Sequence, residues 1–191
     1  MDNLPSGLVV GKSDYSMREV VLTHQIETKV PSREQWSLNQ VIRNGELSVF
    51  TDGSKTNSGV GAGFFCEELH LEKSVKLGES CTVFQAVLAL KAAADYLLEA
   101  NIRKREISLY VDSQAAITAV GNCTVGSKLV ISSRKVIHAL SQHNSLRICW
   151  VPGHSNYLGN EEADRLAKFG SDDPDVTVSN EAEPPIGFWK K

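Results

Sequence analysis

Between residues 47 and 169 the hydrophobic period changes from two to about 3.6 and back in one fixed order, and that order narrows the possible folds more than any other feature. Leu47-Ser48-Val49-Phe50 reads as a short strand that the turn-forming run Thr51-Asp52-Gly53-Ser54 should close. Val60 to Cys66 reads as a second strand, with Gly61 and Gly63 marking a close backbone approach or a bulge. Leu71 to Leu77 reads as a third, and connections of these lengths favour antiparallel hairpins. Thr82 to Ala100 is the clearest helix, because Val83, Ala86, Val87, Leu90, Ala94 and Leu97 fall on one stripe. Glu106 to Val111 is a strand ending at Asp112, and Ser113 caps a short helix through Val120. Gly121 to Gly126 breaks the chain, and Lys128 to Gln142 is amphipathic. Leu146 to Val151 is a last strand ended by Pro152-Gly153, and Asn160 to Phe169 is a last helix with Gly170 as its C-cap. Three strands in hairpins followed by strand–helix crossovers imply an α/β fold, with one mixed sheet and helices on its faces.

The flanks have a different texture. Residues 1–44 carry five basic and five acidic side chains among short apolar clusters. Pro31-Ser32 ahead of Arg33-Glu34-Gln35-Trp36 looks like a helix start. The segment reads as an N-terminal arm or linker with no chemistry of its own. Residues 171–191 hold five acids and three prolines and read as an acidic C-terminal tail. The chain therefore divides into 1–44, a domain at 45–170, and 171–191. No run approaches the ~18 apolar residues of a membrane span, and the N-terminus has no signal-peptide pattern, so an intracellular, non-secreted protein is expected. Cys66, Cys81, Cys123 and Cys149 are scattered without a CxxC, which suits reduced thiols better than disulfides or zinc. The net charge of -3 excludes a strongly basic nucleic-acid binder. Residues 45–170 hold 13 basic and 13 acidic side chains, so binding of nucleic acid would be moderate and salt-sensitive.

Three aspartates fall where α/β folds build sites. Asp52 follows the first strand, Asp112 the fourth, and Asp164 lies in the first turns of the last helix. Each alone is an ordinary turn former or helix-start acid. Together they would mean more. Three carboxylates within ~6 Å repel by roughly 3 kcal/mol per pair at an effective dielectric of 20, a cost that a cation relieves. Oxygen-only ligands favour Mg²⁺ or Mn²⁺ over zinc.

TDGSK at 51–55, GVGAGFF at 59–65, TVFQA at 82–86, YVDSQAA at 110–116, WVPGH at 150–154 and GNEEADRLA at 159–167 resemble, in this order, the ribonuclease H family. Their wording is similar to domains that non-LTR (LINE-type) retrotransposons encode downstream of a reverse transcriptase. The resemblance spans about residues 45–170. It implies an RNase H-like fold: a five-stranded mixed sheet, three antiparallel strands and then parallel additions, flanked by helices. It implies a hydrolase, an endonuclease that cleaves the RNA strand of RNA–DNA hybrids to 5′-phosphomonoesters with two Mg²⁺ ions on four carboxylates. Asp52, Asp112 and Asp164 match the first, third and fourth carboxylates, and His154 matches the family's mobile histidine. Gly53, Ser54, Ser113 and Gln114 would lie along the RNA strand, and Thr82 would face a DNA phosphate. A reverse transcriptase domain of the same polyprotein is the implied partner, and no membrane is.

One family residue is missing. The second carboxylate is a glutamate in the pattern FQAE, and here the text is Phe84-Gln85-Ala86-Val87. Val87 fits its apolar stripe as a core residue. Glu79 lies eight residues earlier, about 12 Å along a helix axis, and Glu99 twelve residues later. Gln85 points about 200° around the helix from Val87. None replaces the ligand. Losing a partner that only supports a ligand lowers activity or metal affinity about 10–100-fold, and losing a ligand should lower it further. The expectation is a retained fold, reduced metal occupancy, and weak or absent cleavage. Two other readings stay open: a non-catalytic module that binds nucleic acid or supports an adjacent reverse transcriptase, and an integrase-type transferase, which the motif order disfavours.

Overall fold

The computed structural model describes residues 15–20, 26–77, 84–122, 124–173 and 178–179. Within them the order is β1 (Tyr15–Val20), β2 (Glu27–Lys29), α1 (Arg33–Ser37), β3 (Leu47–Lys55), β4 (Val60–Cys66), β5 (Leu71–Leu77), α2 (Gln85–Glu99), β6 (Glu106–Val111), α3 (Gln114–Gly121), β7 (Thr124–Ser127), α4 (Lys128–Ser141), β8 (Ser145–Trp150), α5 (Leu158–Asp172) and β9 (Val178–Ser179). One sheet runs in the order β2-β8-β6-β3-β4-β5-β9. Its β3, β4 and β5 are antiparallel neighbours, while β3, β6 and β8 pair in parallel. This is the expected mixed α/β sheet flanked by helices, but wider than five strands. The three-residue β2 joins parallel to β8 and the two-residue β9 joins parallel to β5. Separately, β1 pairs antiparallel with β7, inside the stretch expected only to break the chain.

Two boundaries differ from the sequence pattern for physical reasons. The run Thr51-Asp52-Gly53-Ser54 does not end a strand. It pairs with β4 in the register Asp52↔Gly63, Gly53↔Ala62 and Lys55↔Val60, so hairpin hydrogen bonding overrides local turn preference. Gly170 does not cap α5, which continues to Asp172. A methyl group there would stand 2.8 Å from the carbonyl oxygen of Val75, so the glycine serves close packing of the helix on β5. The same holds at Gly61 and Gly63, where added methyls would lie 2.3 Å from Ala167 O and 2.2 Å from Ala163 O. A lane of side-chain-free backbone thus seats α5 directly on β4.

The core lies between the sheet and its helices. Val87, Leu88, Leu90, Ala94 and Leu97 of α2 are buried in it. Among the described cysteines, Cys66 and Cys149 are buried and unbridged. Burial pushes their thiols up to about 12 and about 11, so little reactive thiolate exists at neutral pH. Cys81 and Cys123 lie outside the described residues. Among the described residues no helix is long and apolar enough to cross a membrane.

The segment ahead of β3 is docked. Ser32 and Gln35 form a capping box: Ser32 Oγ accepts from Gln35 N at 3.2 Å and Gln35 Oε1 from Ser32 N at 2.8 Å. The short α1 then buries Trp36, which is 2% exposed. Covering an indole of about 200 Å² contributes on the order of 5 kcal/mol before entropy is counted. A buried ion pair ties this segment to β6 and β8. Arg147 Nη2 donates to Glu46 Oε2 at 3.0 Å and to the carbonyl oxygen of Val41 at 2.8 Å. Ser108 and Tyr110 each donate a hydroxyl to Glu46 at 2.6 Å. Arg43 N donates to it at 3.1 Å. Burial pushes the Glu46 carboxyl up, but these donors and the Arg147 guanidinium outweigh it and hold the group below its ordinary value.

Candidate active site

The sheet register assembles the site. Parallel pairing of β3 with β6 runs to Thr51↔Val111, so Asp52 and Asp112 follow side by side. On the other flank Asp52 pairs with Gly63, against which α5 lies at Ala163, the residue before Asp164. Asp52, Asp112, Asp164 and His154 consequently line one cleft of about 330 Å³, together with Gly53, Ser54 and Ser113. Ser113 also caps α3, accepting from Ala116 N at 3.2 Å. Gln114, the exposed first residue of α3, does not line the cleft. Thr82 lies outside the described residues.

The carboxylates perturb one another strongly. Burial pushes Asp52 up to about 7; Asp112 and Asp164 add to the rise, and the Gly53 N–H opposes it. Its carboxyl stands within hydrogen-bonding reach of Asp164. Burial also raises Asp112, with His154 pulling it down and Asp164 pushing it up. Lys168, one turn beyond Asp164, donates Nζ to Asp164 Oδ2 at 2.5 Å. The Lys168 ammonium thus offsets part of the like charge at Asp164.

The loop from Val151 to Tyr157 brings in the histidine. His154 has φ +50° and Asn156 φ +59°, left-handed backbone that side-chain-bearing residues rarely adopt. A methyl at Gly153 would stand 3.0 Å from Asp112 Oδ2, so the loop backbone passes hard against that carboxylate. The Trp150 indole Nε1 donates to the Asp112 carbonyl oxygen at 3.0 Å and ties the loop's root to the same residue.

Val87 is 1% exposed, packs in the core and does not line the cleft. Gln85 does line it, on the face of α2 turned away from Val87 as the helical phase requires, so the position expected to face the cleft is the one that is displaced. The reason lies at Gly53, where a methyl would stand 2.4 Å from Gln85 Cβ. The helix meets β3 through its first turn, so Gln85 sits over the strand. Lys55 lines the cleft too, and so do Asn160 and Glu161, which had not been singled out. Asn160 is 4% exposed and its Oδ1 has no hydrogen-bond partner. The signal for Asn160 and Glu161 was their spacing of four and three residues before Asp164, which places all three on one helix face.

Among the described residues no three His, Cys, Asp or Glu side chains converge closely enough to enclose one metal ion. The donor chemistry still suits a hard divalent cation. Every candidate ligand is a carboxylate, and burial together with the neighbouring Asp112 and Asp164 charges pushes Asp52 up to about 7, a cost that a bound cation would relieve.

Comparison with known proteins follows the same outline. The family model described as RNase H matches residues 44–172, from just before β3 to the end of α5. The chain is 30% identical over 142 residues to Ribonuclease H1 of Homo sapiens, covering 64% of this chain and 49% of that protein. It is 31% identical over 136 residues to Ribonuclease H of Rhodopseudomonas palustris (strain TIE-1), covering 64% and 86%. It is 31% identical over 141 residues to Ribonuclease H of Erythrobacter litoralis (strain HTCC2594), covering 66% and 96%. The chain thus spans about half the length of the mammalian relatives it matches and most of the bacterial ones.

Proposed function

The chain belongs to the RNase H family, and from this premise we propose that its acidic cleft is a site for divalent-metal-dependent cleavage of the RNA strand of RNA–DNA hybrids, impaired because Val87 turns into the core and α2 presents only Gln85 and Ala86, not a carboxylate, to the cleft. The observation that carries this reading is the convergence of Asp52, Asp112, Asp164 and His154 on one cleft. Asp52, Asp112 and Asp164 would hold Mg²⁺ or Mn²⁺. When bound, such ions supply positive charge for an in-line displacement at a phosphodiester. The protein's own groups do the rest. Gly53, Ser54 and Ser113 contact the RNA backbone and its 2′-hydroxyls from the cleft wall. Lys55 attracts phosphate. His154 holds and passes a proton at its imidazole, on a loop that brings it against Asp112. Gln114 takes part as a contact to nucleic acid beyond the cleft, and Thr82 as a contact to a DNA phosphate.

The motif wording supports a further placement, in a non-LTR retrotransposon polyprotein beside a reverse transcriptase, where such an activity would remove RNA after copying. A second reading has its own support. Val87 supplies no oxygen ligand and Lys168 already pairs with Asp164, which suits a non-catalytic module that binds hybrid or supports the polymerase. Single-turnover hydrolysis of a defined hybrid separates the two. Val87→Glu should cleave at least about 100-fold faster than the parent chain, and Asp112→Asn in that background should abolish the gain. Equal, robust rates for parent and Val87→Glu would overturn the impairment. Tight hybrid binding without cleavage in either chain would favour the non-catalytic module.

A further inference from the structure

The family match begins at residue 44, yet side chains ahead of it reach the elements that carry the cleft. Trp36 Nε1 donates to the carbonyl oxygen of Trp150 at 3.0 Å. Trp150 Nε1 in turn donates to the carbonyl oxygen of Asp112 at 3.0 Å. Two indoles in series therefore link α1 to the backbone of a site aspartate. The Trp36 ring also meets Tyr157 edge-on, with centroids 4.8 Å apart, and Tyr110 at 5.5 Å. Tyr157 precedes α5, and its carbonyl accepts from the N–H groups of Asn160 at 2.9 Å and Glu161 at 3.0 Å. Tyr110 lies two residues before Asp112. Arg33 adds a guanidinium 5.9 Å from the centre of the Trp150 ring.

These contacts fall at both ends of one loop. Trp150 is the last residue before it and Tyr157 closes it, with left-handed His154 and Asn156 in between. Backbone of that kind persists only where the surrounding structure holds it. Among the described residues, Trp36 touches the entry and the exit of the loop at once. We propose that residues 26–43 form a clamp, absent from the matched family region, that fixes the His154 loop and the Asp112 backbone, with Trp36 as its positioning residue. The inference rests on the hybrid-cleaving reading of the cleft.

A purely structural Trp36 would matter only for folding. The clamp makes a narrower demand, because the indole N–H has to be present as well as the ring. Trp36→Phe keeps an aromatic in the socket and removes the donor. In the Val87→Glu background it should lower single-turnover kcat about tenfold with KM for hybrid within about twofold. In the parent chain it should speed hydrogen exchange of the Trp150 indole proton, followed by ¹⁵N NMR, at least about tenfold. Arg33→Gln, at an exposed position where loss of folding is not in question, should move both readouts the same way by roughly threefold. Where Val87→Glu cleaves hybrid, an unchanged kcat in Trp36→Phe and Arg33→Gln overturns the clamp whatever the exchange shows. A rise in KM alone overturns it too. Where Val87→Glu does not cleave, the hybrid-cleaving reading fails by itself, and exchange decides: an unaltered Trp150 indole in both variants sinks the clamp.

Discussion

Asp164 faces two suitors, the Asp52 carboxyl across the cleft and the Lys168 ammonium one turn along its own helix. A divalent cation would have to displace the lysine from that oxygen. Lys168 is half-exposed, so the pair is screened and its removal should have a modest effect. Lys168→Gln is expected to tighten Mn²⁺ binding about two- to fivefold by calorimetry, and weaker binding would contradict this. Val87 presents the opposite problem. A glutamate placed at a position 1% exposed buries a charge, so Val87→Glu should melt several degrees lower without metal. Added Mg²⁺ should then raise its Tm more than it raises that of the parent chain. At this scale the sequence was legible for Asp52, Asp112, Asp164 and His154, which share the cleft although Asp52 lies inside β3 and Asp164 inside α5. Gln85, Asn160, Glu161 and Lys168 were not, because their places depend on how far two helices overlap the sheet.

Elements were readable wherever a period ran for six residues or more. The hairpins, the Ala-rich α2 and the Ser113-capped α3 follow their local patterns closely. The misses share one cause, tertiary pairing stronger than local preference. Turn-forming residues were drawn into β3, and a supposed cap became a packing surface in α5. Short strands such as β2 and β9 have no period to read. The glycine lane under α5 gives a sharp test. Gly63→Ala forces a methyl to 2.2 Å from Ala163 O and must shift the helix that bears Asp164. It should destabilise by about 1–3 kcal/mol in urea unfolding and lower any cleavage of hybrid as well. Gly45, where nothing lies within 4 Å of an added methyl, is no comparable control, because its φ of +82° adds strain.

The whole molecule is held at its other end by Glu46 and Arg147, whose charges are buried among Ser108, Tyr110 and the backbone of residues 41 and 43. Glu46→Gln leaves the guanidinium without its counter-charge and should lower stability by about 3–5 kcal/mol at pH 7. The folded carboxyl titrates below its ordinary 4.5, so its stabilisation is complete above that pH and drains away as pH falls through the lower folded value. Parent and variant should therefore converge in strong acid, as denaturant unfolding at several pH values would show. The sequence hinted at α1 through Pro31-Ser32 but could not show where residues 26–43 dock, since most of their partners lie more than a hundred residues away. That distance has a consequence of its own. Glu27 finds its strand neighbour at Arg147, and Trp36 its acceptor at Trp150. During synthesis β2 has no strand to pair with until β8 emerges more than a hundred residues later, so this edge of the sheet waits on the far side of the domain for its partner.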